Sequence, residues 1–286
     1  MNPTVELVVA LSFVFFLGAL ICSGLNELIA WATNLRAVYL GTGIRHLLAN
    51  DAQAQAFWDN ALVKSLYKSR KPSYIPSGTF AQAVFDQLVS PPANGGKPTR
   101  PQITAAIAKL PAGNYKSSLQ SLWAGAYGDV EKLRSSLASW FDATMDRVSG
   151  WYKRMVQWIL LGLGLGLAVA LNVDAVQVGQ RLWHDTTLRA AVVKQVGQAQ
   201  SPQTREPDFT KASEGIESGL KSLAGLHLPL GWAKGARPHH WPNAVPGWLL
   251  SAIAFSLGAP FWFGLMTRFS SPRASGPPPE KSSAEA

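Results

Sequence analysis

Three stretches of the chain have almost no polar positions, and the segments between them show helical periodicity or turn-rich composition. The first, "LVVALSFVFFLGALICSGL" over 7–25, carries no charge, and about 19 residues at 1.5 Å each match the roughly 30 Å of bilayer hydrocarbon. The second begins "MVQWILLGLGLGLAVALNVDAV" at Met155, and the third, "GWLLSAIAFSLGAPFWFGLM", runs from Gly247 to Met266. The pattern predicts three transmembrane helices. Indole rings favour membrane interfaces, and Trp31 follows the first run, Trp151 and Trp183 bracket the second, and Trp241, Trp248 and Trp262 flank or cap the third.

Between the first two runs the periodicity is helical throughout, with no alternating strand pattern, so an all-α fold is expected. The first helix should continue through "NLRAVYLGTGIRHLLA". In "AQAFWDNALVKSLY", Phe57, Ala61, Leu62 and Leu66 share one face. "KPSYIPSGTFAQAVFDQLV" reads as an extended entry and then a helix starting at Ser77 or Thr79, with Phe80, Val84 and Leu88 inward. A loop, "SPPANGGKPTRP", precedes a short helix, "QITAAIAKL", and helical pattern then dominates from Tyr115 to Tyr152 with a break near Gly125 to Gly128. After the second run, Asp185 is placed to cap "TTLRAAVVKQV". The rest of that loop, including "PHHWP", is polar or rich in Pro and Gly, and "SSPRASGPPPEKSSAEA" has the composition of a disordered tail.

Composition then fixes the setting. At 47% hydrophobic and 15% charged, the chain is apolar for a soluble protein. "MNPTVE" has no basic region and no A-x-A site follows, so the first run reads as a retained anchor, and Cys22 as an inert thiol within it. Lys and Arg near the span ends set orientation: none precedes the first helix, whereas Arg36 and Arg45 follow it, and the counts tie around the other two. The expected layout is an N-terminal span within 1–31 with its start outside, a helical cytoplasmic domain over 32–154, a second span at 155–178, an extracytoplasmic loop at 179–245, a third span at 246–267 and an inside tail. The net charge of +9 is spread out, which suits anionic lipid headgroups. No aromatic–basic platform accompanies it, so nucleic acid is not an expected partner.

Candidate chemistry concentrates in "FDATMDRVSGWYKR" over 141–154. On a helix, Leu133, Leu137, Phe141, Met145, Val148, Tyr152 and Met155 form an apolar stripe that leads into the second run. Asp142 and Asp146 project one turn apart beside Arg147, either as a solvated or salt-bridged face or as the carboxylate pair of a hydrolytic or metal site. No further ligand lies at metal spacing nearby. Gly150 suggests a bend or a close helix contact. Gly162 and Gly166, with Ala170, make a small-xxx-small row for packing against the other spans or in a homo-oligomer. Asp174 is either an interfacial residue or part of an ion path. Pro260 should kink the third span and free the Ser256 carbonyl. The five histidines are scattered, and no nucleotide loop, metalloprotease or catalytic-triad motif occurs, so no cofactor is expected.

The strings "PSYIPSGTFAQAVFD", "WFDATMDRVSGWYKR", "ALNVD" with "LW" eight residues on, and "LGAPFWF" together resemble a family of uncharacterised bacterial multi-pass inner-membrane proteins. The resemblance covers about Leu28 to Phe269 and implies a bacterial inner-membrane location, with no activity attached. The family pattern has Arg where Gly78 stands, and often an acidic residue where Gly264 stands. The expected role is structural or interactive, tethering or assembling a protein partner at the membrane. The alternatives are a channel or transporter subunit, and an enzyme using Asp142 and Asp146.

Overall fold

The structure, a computed structural model, describes residues 2–89, 98–197, 209–226, 228, 231–232 and 241–270. All regular structure among them is helical. The chain divides into two compact units: Thr33–Met155, and Met1–Ala32 together with Val156–Ala286.

The Thr33–Met155 unit contains α2 (Leu35–Leu48), α3 (Asp51–Asp59), α4 (Ala61–Lys64), α5 (Ser77–Leu88), α6 (Arg100–Lys109), α7 (Asn114–Gly125) and the first part of α8 (Val130–Ala170). Its core joins Ile44 and Leu48 of α2, Phe57 of α3, Phe80 and Val84 of α5, Ile103 of α6 and Leu119 of α7 to Leu133, Leu137 and Phe141 of α8. Phe80 stacks on Phe141 with ring centroids 4.4 Å apart. At Gly43 a Cβ would meet the Met145 and Val148 side chains at 2.8 Å, so the missing side chain lets α2 close on the α8 stripe.

Two expected continuities are broken by asparagine. The first long helix stops at Thr33, and Asn34 takes a left-handed conformation, φ 48°, before α2 begins. Asn60 ends α3, and its side chain then accepts from the Leu62 N–H to start α4. That restart turns the chain: Phe57 and Val63 are buried, whereas Leu62 and Leu66 are exposed, so the four residues expected on one face are split. Gly150 causes no interruption. The helix runs through it, and a Cβ there would meet nothing within 4 Å.

The other unit contains α1 (Pro3–Thr33), the last part of α8, α9 (Ala175–His184), α10 (Thr186–Val196), α11 (Phe209–Gly225), α12 (Trp241–Ser256) and α13 (Ala259–Ser270). Two helices, α1 and α8, are long and apolar enough to cross a membrane, and the bent pair α12 and α13 makes a third if it counts as one span. The apolar windows differ: 61% of that in α1 is buried, against 11% in α8. Trp158 and Leu165 of α8 and Leu249, Leu250 and Ile253 of α12 are exposed. So much open apolar surface calls for lipid as its solvent.

Where a loose loop was expected after the second span, the described residues form three helices. Asp174 and Asp185 cap α9 and α10. Helix α11 runs antiparallel to α1, from Phe209 beside Trp31 (5.6 Å) to Gly219 against Ile21. The contact is reciprocal: Ile216 fills the notch at Gly24, and Ile21 fills the notch at Gly219, each at 2.7 Å from where a Cβ would stand. "PHHWP" and the tail beyond 270 lie outside the described residues.

The third run is not a simple kinked span. Helices α12 and α13 meet at 91°, and Gly258 supplies the positive φ of 86° at the break. Pro260 falls in the first turn of α13, where its missing N–H is no loss. The Ser256 carbonyl accepts from Gln157 Nε2 at 3.3 Å and the Ala254 carbonyl from Trp262 Nε1 at 2.7 Å. Trp262 therefore serves the break.

The glycine row also moves. Gly162 and Gly166 have nothing within 4 Å of a notional Cβ, whereas Gly164 would meet the Ala252 carbonyl oxygen at 2.8 Å. Intrachain packing of α8 on α12 uses Gly164. Gly164→Leu should lower thermal stability in detergent by about 1–3 kcal/mol, because it collides with backbone, and Gly162→Leu should stay within about 0.5 kcal/mol. Thermal melts of the two variants check the order.

Candidate functional site

Three places gather polar chemistry. The first lies where α8 ends. Asn172 takes φ 46°, Val173 N donates to the Ala168 carbonyl at 2.7 Å, and Asn172 N donates to that of Val169 at 3.1 Å. This is the Schellman closure of a helix, with asparagine in the place glycine usually takes. The next carbonyls are served from a distant turn: Trp232 Nε1 donates to Val169 and Ala170, and Gly231 N to Leu171 at 2.7 Å. Asn172 Nδ2 donates back to Gly231 O at 3.0 Å, and its Oδ1 accepts from Trp248 Nε1 at 3.1 Å. Ser251 Oγ donates to Val173 O at 2.6 Å. Trp248 is thus buried in the knot.

Asp174 belongs to the same knot. It is buried, and its Oδ1 accepts from Val176 N at 2.8 Å and Gln177 N at 3.1 Å, the capping arrangement that starts α9. Gly247 lies so close that a Cβ would fall 1.9 Å from that oxygen. Capping explains the burial of this carboxylate without an ion path.

The second place was not foreseen. Arg189, counted in the sequence only as one cation of a loop, has a side chain just 6% exposed. Its Nε donates to Glu6 Oε2 at 3.3 Å, and its Nη1 to the Leu182 and Trp183 carbonyls at 2.9 and 3.1 Å. One guanidinium ties the start of α1 to the end of α9. The only hint in the sequence was Glu6, an acid just ahead of a charge-free run.

The third place is in the Thr33–Met155 unit. A cavity of about 600 Å³ opens between α2, the starts of α3 and α7, and α8. Arg45, His46, Asp51, Asn114, Trp140, Arg147 and Trp151 are among its walls. All three of the acidic and cationic trio singled out in the sequence, Asp142, Asp146 and Arg147, are exposed, and of them Arg147 lines this cavity. Among the described residues neither aspartate makes an ion pair, and no three His, Cys, Asp or Glu side chains group as metal ligands. Beside the cavity, Tyr115 is buried, and desolvation holds its hydroxyl well above the usual tyrosine range.

No family model matches the chain, and neither does any curated protein or solved structure.

Two stability experiments follow from this geometry. Arg189→Met removes the guanidinium from Glu6 and from two carbonyls, and should cost about 3 kcal/mol. Asp174→Asn keeps a capping oxygen and should be nearly neutral, whereas Asp174→Ala should cost about 1 kcal/mol. Denaturant unfolding of the full chain in detergent measures all three. For Tyr115, the unfolded chain ionises near pH 10, and the folded chain holds its proton above that. Above about pH 10 stability should therefore fall more steeply in the unmodified chain than in Tyr115→Phe.

Proposed function

We propose that the chain is a bacterial inner-membrane protein that anchors or assembles a partner at the membrane, with residues 33–155 as a cytoplasmic binding domain. One observation carries the reading. Helix α8 supplies Leu133, Leu137 and Phe141 to a closed helical core and then continues without a break into an apolar stretch of which only 11% is buried. A helix of this kind holds a folded domain at a bilayer. The strings that resemble bacterial inner-membrane proteins agree with the setting. Arg36 and Arg45, close after the first span, support a cytoplasmic domain. Leu62 and Leu66, exposed one turn apart beside the α3–α4 break, and Tyr74, 72% exposed, give that domain an apolar surface for a protein partner.

The test uses the full chain in its native membrane, with a photo-crosslinking residue at Leu66 or Tyr74. The expected result is one reproducible adduct that Leu62→Glu reduces at least several-fold without altering the melting temperature. Adducts that are absent at both positions, or unaffected by that substitution, would refute the reading. Sidedness is checked separately. Cys22 is fully buried, so a cysteine introduced at Tyr74 is the reactive thiol, and it should label in inverted vesicles and stay protected in intact cells.

A further inference from the structure

The cavity in the Thr33–Met155 unit has the chemistry of an anion site. Its cationic groups are the guanidiniums of Arg45 and Arg147, and the His46 imidazole is another of its walls. The single carboxylate among its walls, Asp51, already engages Arg45 at 3.2 Å, through side chains that are both largely exposed and so held weakly. Arg147 makes no ion pair or side-chain hydrogen bond among the described residues, although it faces a cavity of about 600 Å³. Asn114, the first residue of α7, also lines it, and the residue before it is Gly113, which has no side chain to cap the leading N–H groups of that helix. Two indoles, Trp140 and Trp151, are among the remaining walls, and Trp151 meets the His46 ring edge-on at 6.2 Å.

We propose that this cavity binds a phosphate ester, held by the forks of Arg45 and Arg147 and bordered by Trp151. A guanidinium pairs with phosphate in a two-point geometry, and two of them across one cavity select a compact dianion or a phosphodiester over a flat apolar ligand. The phosphate comes from either of two sources, the headgroup of an anionic phospholipid or a soluble phosphomonoester. Position along α8 favours the headgroup. Trp151 lies one helical turn before Met155, where the apolar run begins, so on the membrane-anchored reading the cavity wall stands at headgroup depth. The anion chemistry itself depends only on the cavity.

The experiment titrates the full chain, purified in a neutral detergent, with short-chain phosphatidylglycerol, short-chain phosphatidylcholine and glycerol 3-phosphate, and follows heat by calorimetry. Saturable binding of phosphatidylglycerol alone supports the headgroup source, and binding of glycerol 3-phosphate as well supports a soluble ester in the same cavity. In either case Arg147→Gln should weaken binding about tenfold, and Arg45→Gln with Arg147→Gln more than that. Both arginines are outside the core, so the melting temperature should hold. A control, Lys153→Gln with Arg154→Gln, removes two cations from the same helix that are not among the cavity walls, and should leave affinity within about twofold. No saturable binding of phosphatidylglycerol or glycerol 3-phosphate overturns the proposal, and so does phosphatidylcholine binding as tightly as phosphatidylglycerol. Equal loss in the control does so too, because it would mean diffuse charge and no site. Failure here would leave the anchoring role standing, since that is read from crosslinks at Leu66 and Tyr74.

Discussion

Helix α8 ends with carbonyls that no further turn of helix can satisfy, and the residues that follow, Asn172, Val173 and Asp174, are buried away from water. Each unsatisfied group would cost several kcal/mol in hydrocarbon. The chain meets this with its own donors, drawn from Asn172, Val173, Gly231 and Trp232. That requirement brings a turn about 60 residues later onto the helix end, holds α12 through Trp248 and Ser251, and lets Asp174 start α9 at once. The same logic operates at the break after α12, where Gln157 and Trp262 take the carbonyls that Gly258 and Pro260 leave behind. Polar residues that in isolation suggest transport chemistry are here the means of ending helices in an apolar environment.

Burial is distributed in keeping with a bilayer as the surrounding solvent. Helix α1 is wrapped by aromatic and aliphatic neighbours, with Phe255 lying where a side chain at Gly18 would go. Only 11% of the apolar stretch of helix α8 is buried, and Trp158 and Leu165 are exposed. In water that exposure would be a liability, whereas in lipid it carries no penalty. The Thr33–Met155 unit follows the opposite rule, with an aromatic and aliphatic interior and polar walls around one cavity.

Much of this was legible from periodicity. The stripe from Leu133 to Val148, the inward face of Phe80 and Val84, the break between α7 and α8 and the Asp185 cap all rest on neighbours within a few turns. What escaped depends on partners far along the chain or on the hand of one residue. Arg189 and Glu6 are 183 positions apart, so nothing local distinguishes Arg189 from a solvated loop cation. Gly162, Gly164 and Gly166 are equivalent in sequence, and only the position of Ala252 decides which one is covered. Asn34 and Asn60 break helices that propensity alone would continue. In the segment that first suggested an active site, Asp142, Asp146 and Arg147 are all exposed, and Arg147 lines a cavity whose walls come from α2, α3, α7 and α8 itself.

The dependence of the membrane unit on the capped end of α8 is tested most directly by a double-mutant cycle between Asn172 and Trp248, whose side chains meet at 3.1 Å. Unfolding free energies in detergent would be measured for Asn172→Ala, Trp248→Phe and the pair. A coupling of about 1 kcal/mol, with Asn172→Ala alone strongly destabilising, is the result expected of a structural knot. Additive effects, with Asn172→Ala close to neutral, would contradict it.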